Sequence, residues 1–184
     1  MIHLKVLYSP QSGKLLGGQA VGYDGVDKRI DVIATAIRHD ATVYDLQEYE
    51  LAYAPQFGSP RDPINIAGYV AGNNLRGISP SLDIFDLDEY LAEGALLLDV
   101  RNESDVADGI IREAYHIPLE SLRDRIHELP NDRAVVTYCR VGQQGYIAQR
   151  ILLQSDFNTI NLSGGYDTFT NFFRQERKNK ARNM

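Results

Sequence analysis

The sequence predicts an α/β domain, built on a parallel sheet with helices on both faces and preceded by a small α+β domain. Three observations lead there. Between residues 82 and 175, short apolar runs alternate with amphipathic stretches, the order that produces a parallel sheet covered by helices. Before that, a hairpin pattern gives way to helical spacing. Charge divides the same way. Residues 1–76 carry 7 Lys/Arg against 8 Asp/Glu, residues 77–175 carry 8 against 16, and the last nine carry 4 against 1.

The N-terminal region opens with alternation from His3 to Ser9, a PQSGK turn, and the second strand LLGGQAVG. Val26, Ile30, Ile33 and Ile37 then recur at helical spacing, with Asp27 and Asp31 early enough to suit the helix dipole. Thr42-Val43-Tyr44-Asp45 reads as a weak capping box for a short second helix. Three prolines lie close together in LAYAPQFGSPRDPINIAGYVAGNNL, so one long helix throughout is excluded. One hairpin and two helices bury little surface, and this region is expected to need a partner. GISPS, residues 77–81, reads as a linker. The predicted organisation is therefore domain 1–76, linker 77–81, domain 82–175 and a basic, frayed tail 176–184.

In the second domain LDIFDLDEYLA reads as a helix and Ala95 to Val100 as a buried strand ending in a carboxylate. AYHIP is a short strand, SLRDRIHEL a helix and Ala134 to Tyr138 another buried strand. Gly142 to Gln154 is an amphipathic helix, TINL a strand and YDTFTNFFRQ a final helix.

Composition excludes several classes. The chain has 184 residues, 43% hydrophobic and 24% charged, with net charge -6. That is globular rather than disordered, and too acidic for a non-specific nucleic-acid binder. No apolar run is long enough for a membrane span, and the N-terminus lacks the apolar core of a signal peptide. The single cysteine, Cys139, excludes an internal disulfide and a multi-cysteine zinc site, so no metal is expected. A lone cysteine without a secretion signal points to a reducing compartment, the cytoplasm.

Cys139 follows a buried strand and precedes a helix, where open α/β sheets bind ligands. The loop Arg140-Val141-Gly142-Gln143-Gln144-Gly145 has two glycines that let successive N–H groups turn inward. The helix N-terminus and Arg140 add positive charge, which favours a nucleophilic thiolate. An inert, buried cysteine at a strand end is the alternative, and position alone does not choose between them.

Four segments in order resemble a rhodanese domain: LLLDVRNESD, GIIREAYHIPL, VVTYCRVGQQG and LSGGYDTF. The resemblance implies that Cys139 takes a sulfur atom from a donor, holds it as a persulfide and passes it to a small thiol or cyanide. It makes residues 140–145 the cradle for the persulfide anion, a task suited to preorganised N–H groups. Two departures stand out. Gln144 occupies a place where the family commonly has Arg, and Ile110 one where it often has His. The first weakens the case for an anionic donor such as thiosulfate. The rhodanese-fold phosphatases end this loop in an arginine that is missing here, which argues against phosphatase activity. Asp99 and Arg101 are read as a structural ion pair, because buried charges must be paired.

GVDKRIDV and LAYAPQFGS, within residues 1 to about 75, resemble the dimerisation domain of the pyridine nucleotide-disulfide oxidoreductases, nearest the coenzyme A-disulfide reductase branch. The order of the two domains resembles that of the fused coenzyme A-disulfide or persulfide reductases. The resemblance implies a homodimer, with small sulfur donors and thiol acceptors as partners. FAD, NADH and coenzyme A are expected only for a full-length relative, because no G-x-G-x-x-G follows a first strand. The chain is therefore expected not to act as a reductase on its own. An alternative is that it is a non-catalytic oligomerisation or sulfur-binding portion of such a reductase. Tyr53 matches a tyrosine that reaches the partner subunit in those enzymes; in this chain packing beneath the proline loop is the preferred reading.

Overall fold

The strands form where apolar and β-branched residues cluster, and they fall into two separate sheets. The computed structural model describes residues 2–182 apart from 57 and 108, with side chains described as far as 173. The chain divides into two units, with the boundary between Ile78 and Ser79.

In the first unit β1 (Ile2–Tyr8) and β2 (Leu15–Gly22) pair antiparallel, with His3 opposite Val21 and Lys5 opposite Gln19. α1 (Val26–Arg38) follows, and the predicted apolar stripe turns Ile33 fully inward. α2 (Val43–Glu48) opens with the capping box read from the sequence. The amide and hydroxyl of Thr42 hold the Asp45 carboxyl below its usual range.

The unit has a third helix that the sequence reading left out. α3 (Pro63–Leu75) starts at the last of the three prolines, where proline's missing N–H costs nothing. Asp62 caps it, accepting from the Ile64 amide at 3.0 Å, and Asn65 completes the box by accepting from the Asp62 amide at 3.1 Å. Leu15, Ile33, Val43, Leu46 and Ile64 form the core of this unit.

The second unit is a five-stranded parallel sheet in the order β3-β7-β6-β4-β5. Its strands are β3 (Ser81–Leu82), β4 (Leu96–Asp99), β5 (Tyr115–His116), β6 (Val135–Tyr138) and β7 (Thr159–Leu162). Every residue of β6 is buried, as a central strand covered on both faces requires. The helices are α4 (Leu87–Ala92), α5 (Glu103–Val106), α6 (Leu122–Arg125), α7 (Gln143–Leu153) and α8 (Gly165–Arg182).

Three readings need correction. Ser81, assigned to the linker, is the first residue of β3 and pairs with Asn161. Two flanking groups hold it there: the Pro80 carbonyl accepts from the Asn161 amide at 3.1 Å and from Gln149 Nε2 at 2.7 Å. The stretch SLRDRIHEL is not one helix but α6 between two 3-10 turns. The tail set apart as residues 176–184 does not begin a new segment, because α8 runs through the boundary as far as Arg182, where Glu, Arg, Lys and Ala are good helix formers. Its last two residues, Asn183 and Met184, lie outside the described residues.

Among the described residues no helix is long and apolar enough to cross a membrane, and no cluster of His, Cys, Asp or Glu could hold a metal ion.

Candidate active site at the end of the central strand

β6 ends at Tyr138, and the next residue, Cys139, sits at the carboxyl edge of the sheet with 2% of its surface exposed. Its sulfur accepts a hydrogen bond from the Gly142 amide at 3.1 Å. Gly142 has φ of 111°, a conformation that favours glycine, and it is the N-cap of α7. The three amides at the start of α7, those of Gln143, Gln144 and Gly145, belong to the first turn, where no intrahelical carbonyl can take them.

Peptide planes set the direction of the loop amides. The Cys139 carbonyl accepts from the Tyr166 amide at 2.9 Å and the Arg140 carbonyl from the Asp167 amide at 3.0 Å. Both donors are in the first turn of α8. In a trans peptide the N–H points opposite to the C=O, so tying these two carbonyls to α8 turns the Arg140 and Val141 amides away from it. The Gly142 carbonyl is held in the same manner, accepting from the Tyr146 amide at 2.8 Å and from Asn161 Nδ2 at 3.2 Å. Three carbonyls of the loop, those of Cys139, Arg140 and Gly142, are thereby held by neighbouring elements. Gly165 makes the approach of α8 possible: a Cβ there would collide with the Cys139 carbonyl oxygen, and its φ is 53°.

α7 is drawn onto the sheet by similar means. Thr137 donates its hydroxyl to the Gly145 carbonyl at 3.0 Å. A Cβ on Gly145 would meet the side chain of Asn161, so no larger residue fits this contact unless Asn161 shifts. Asn161 was missed at the sequence level; only the pairing of β3, β7 and β6 brings it here.

Asp99 and Arg101 lie one strand away from Cys139. Arg101 donates to Asp99 through Nε and Nη2, the shortest contact being 2.6 Å, with side chains 2% and 0% exposed. Burial opposes the guanidinium charge, but the hydrogen bonds and charge of Asp99 prevail and the Arg101 pKa is raised. Arg101 also donates to the carbonyls of Asp105 and Gly109, at 3.1 and 2.8 Å, and lies 4.0 Å from the ring centre of Tyr166. Tyr138 donates its hydroxyl to Asp99 at 2.7 Å and accepts from the Ile111 amide at 3.1 Å. Burial is the first cause of its raised pKa. This network fixes both flanks of the cysteine loop, through Tyr138 before it and Tyr166 in α8.

Of the other predicted loop residues, Gln143 is exposed, Gln144 is half-buried and Val141 is 50% exposed. Arg140 is exposed and pairs with Asp167 at 3.4 Å. Tyr53 is in the first unit and is 51% exposed. It lines a cavity of about 370 Å³ together with Lys28, Arg29 and Arg61. Ile110 is 41% exposed.

Comparisons with known proteins agree with this fold. Residues 85–172 match the rhodanese-like domain, and residues 1–61 the pyridine nucleotide-disulphide oxidoreductase dimerisation domain. A coenzyme A disulfide reductase of Staphylococcus epidermidis is 50% identical over 70 residues, which are 38% of this chain and 16% of that protein. The structure of reduced Bacillus anthracis CoADR-RHD is similar with a TM-score of 0.87 and 40% identity. That match covers 90% of this chain and 30% of the other. The NAD-dependent persulfide reductase from A. fulgidus gives 0.79 and 36%, covering 89% and 29%. The chain thus spans less than a third of each of these relatives. It consists of a rhodanese-like domain preceded by a dimerisation domain of the pyridine nucleotide-disulphide oxidoreductase family.

Proposed function

We propose that the second unit is a sulfurtransferase that carries sulfur as a persulfide on Cys139. The Cys139 thiolate attacks the outer sulfur of a small persulfide or polysulfide donor. The donor's S–S bond breaks, and its electron pair leaves with the departing thiolate. A Cys139 persulfide anion remains. An acceptor thiolate or cyanide then attacks the terminal sulfur and regenerates the Cys139 thiolate. The observation that carries this reading is the loop itself: an amide at 3.1 Å from the sulfur, and the Cys139 and Arg140 carbonyls tied to α8. Fixed N–H groups aimed at developing anionic charge are an effective form of stabilisation. Residues Arg140, Val141, Gly142, Gln143, Gln144 and Gly145 form the cradle in this scheme, and Asp99 and Arg101 hold it in place.

The chain acts as a homodimer in the cytoplasm in this reading, through its dimerisation-type domain, and uses neither FAD nor NADH itself. The small share of each relative that it spans supports a second reading. There the chain is the oligomerisation and sulfur-binding portion of a flavin-dependent coenzyme A-disulfide or persulfide reductase.

Intact-mass spectrometry separates the two. After incubation with polysulfide, thiosulfate or coenzyme A persulfide, the first reading expects one added sulfur that cyanide or a thiol removes. Cys139→Ser is expected to gain none while keeping its thermal transition. A wild-type protein that takes sulfur from no donor would sink the transferase reading.

A further inference from the structure

Arg140 is the only charged residue between Cys139 and Gly145. Its charge does not face solvent alone. Asp167 lies 3.4 Å from its Nε, and the pairing is prearranged, because the Asp167 amide also donates to the Arg140 carbonyl at 3.0 Å. One residue of α8 therefore grips Arg140 by backbone and side chain together. The Asp167 side chain is 23% exposed and the Arg140 side chain 63%. The acid is held against the protein and the base lies over it. The other arginines of the second unit with described ion pairs are Arg101 with Asp99, Arg112 with Asp88, Arg125 with Glu128 and Arg133 with Asp132. Residues 77–175 carry twice as many acidic as basic side chains. A dianion approaching Cys139 thus meets loop amides but no uncompensated cation from Arg140.

We propose that Asp167 is a specificity-determining residue of the Cys139 loop. By neutralising Arg140 it directs the site toward neutral or singly charged sulfane-sulfur donors and away from dianions such as thiosulfate. This rests on the sulfur-transfer reading and adds to it the charge class of the donor. Gln144, which places no cation in the loop, acts in the same direction.

The test compares loading rates of Cys139 from thiosulfate and from the persulfide of 2-mercaptoethanol, at low and high salt. Four forms of the full chain are used: wild type, Asp167→Asn, Arg140→Gln and the double variant. Removing one charge beside a dianion is expected to raise the thiosulfate rate of Asp167→Asn on the order of five-fold at low salt. The persulfide rate should change by less. The gain should shrink in high salt and vanish when Arg140→Gln is added. Asp167→Ser is a fifth form that repeats the Asp167→Asn measurement, and each form is checked for an unchanged thermal transition. An unchanged thiosulfate rate, an equal rise with both donors, or a rise that survives loss of Arg140 would overturn the assignment of Asp167 alone. Failure of every form to load from either donor would overturn the sulfur-transfer reading, and the proposal with it.

Discussion

The pairs Arg29–Asp62 in the first unit and Arg101–Asp99 in the second place the same chemistry in different surroundings. The first has side chains 14% and 10% exposed, the second 2% and 0%. Asp62 divides itself between Arg29 and the cap of α3, and Arg29 also donates to the Gly25 carbonyl. It fastens a helix start to a neighbouring helix at a wet edge. Asp99 and Arg101 are buried at the end of β4, and two of their contacts, with Tyr138 and Tyr166, lead toward the cysteine loop, while Arg101 also holds the carbonyls of Asp105 and Gly109. The difference shows that an ion pair's weight depends on what remains if one partner is lost. Near the surface water can replace it; in the core nothing can.

The comparison can be broken by experiment. Asp99→Ala leaves a buried guanidinium without its counter-charge, and urea denaturation should show a loss of about 3–5 kcal/mol. A loss under about 1 kcal/mol would mean that water reaches Arg101, and the contrast would fail. Asp62→Ala removes a helix cap and a partly buried pair, so roughly 1–2 kcal/mol is expected from the same measurement. Losses of equal size in the two variants would show that burial does not govern them.

A third pair sets the lower limit. Glu128 accepts from Arg125 and Tyr115 on the surface. The Arg125 hydrogen bonds, followed by that of Tyr115, lower its pKa from 4.5 to about 2. A lowered carboxylate pKa contributes stability that is fully present above 4.5 and lost as pH falls through about 2. Acid titration of thermal stability should therefore show wild type slightly above Glu128→Gln at neutral pH and the two converging below about pH 2. Because the pair is exposed, this is the smallest effect of the three. A gap that persists at the acid end would mean Glu128 acts through something other than its charge.

How much of this was legible in the sequence varied with the range of the interactions. β6 and β4 were readable because a strand buried on both faces must be apolar throughout. The Cys139 loop was readable because strand, glycines and helix are adjacent in the chain. α3 could have been found: Asp62-Pro63 with Asn65 is a local start signal, outweighed in the reading by the count of prolines. β3 could not, since two residues carry no period and only the pairing with β7 defines them. Asn161 and Asp167 were likewise out of reach as parts of the site. Nothing in NLSGGYD announces that its side chains end beside a loop some twenty residues earlier, because sheet order places them there. The Asp99–Arg101 pair could be guessed from the need to pair buried charge, but its bonds to Tyr138 and Gly109 follow only from the fold.

The grip of α8 on the loop also bears on when the protein becomes competent during synthesis. The amides that orient the Cys139 and Arg140 carbonyls come 27 residues after them. A chain growing from its N-terminus exposes the thiol before the groups that shape its surroundings have been made. Until β7 pairs and α8 docks, Cys139 is an ordinary cysteine on an unfinished sheet. In the sulfur-transfer reading proposed above, loading of Cys139 therefore begins only with completion of the domain.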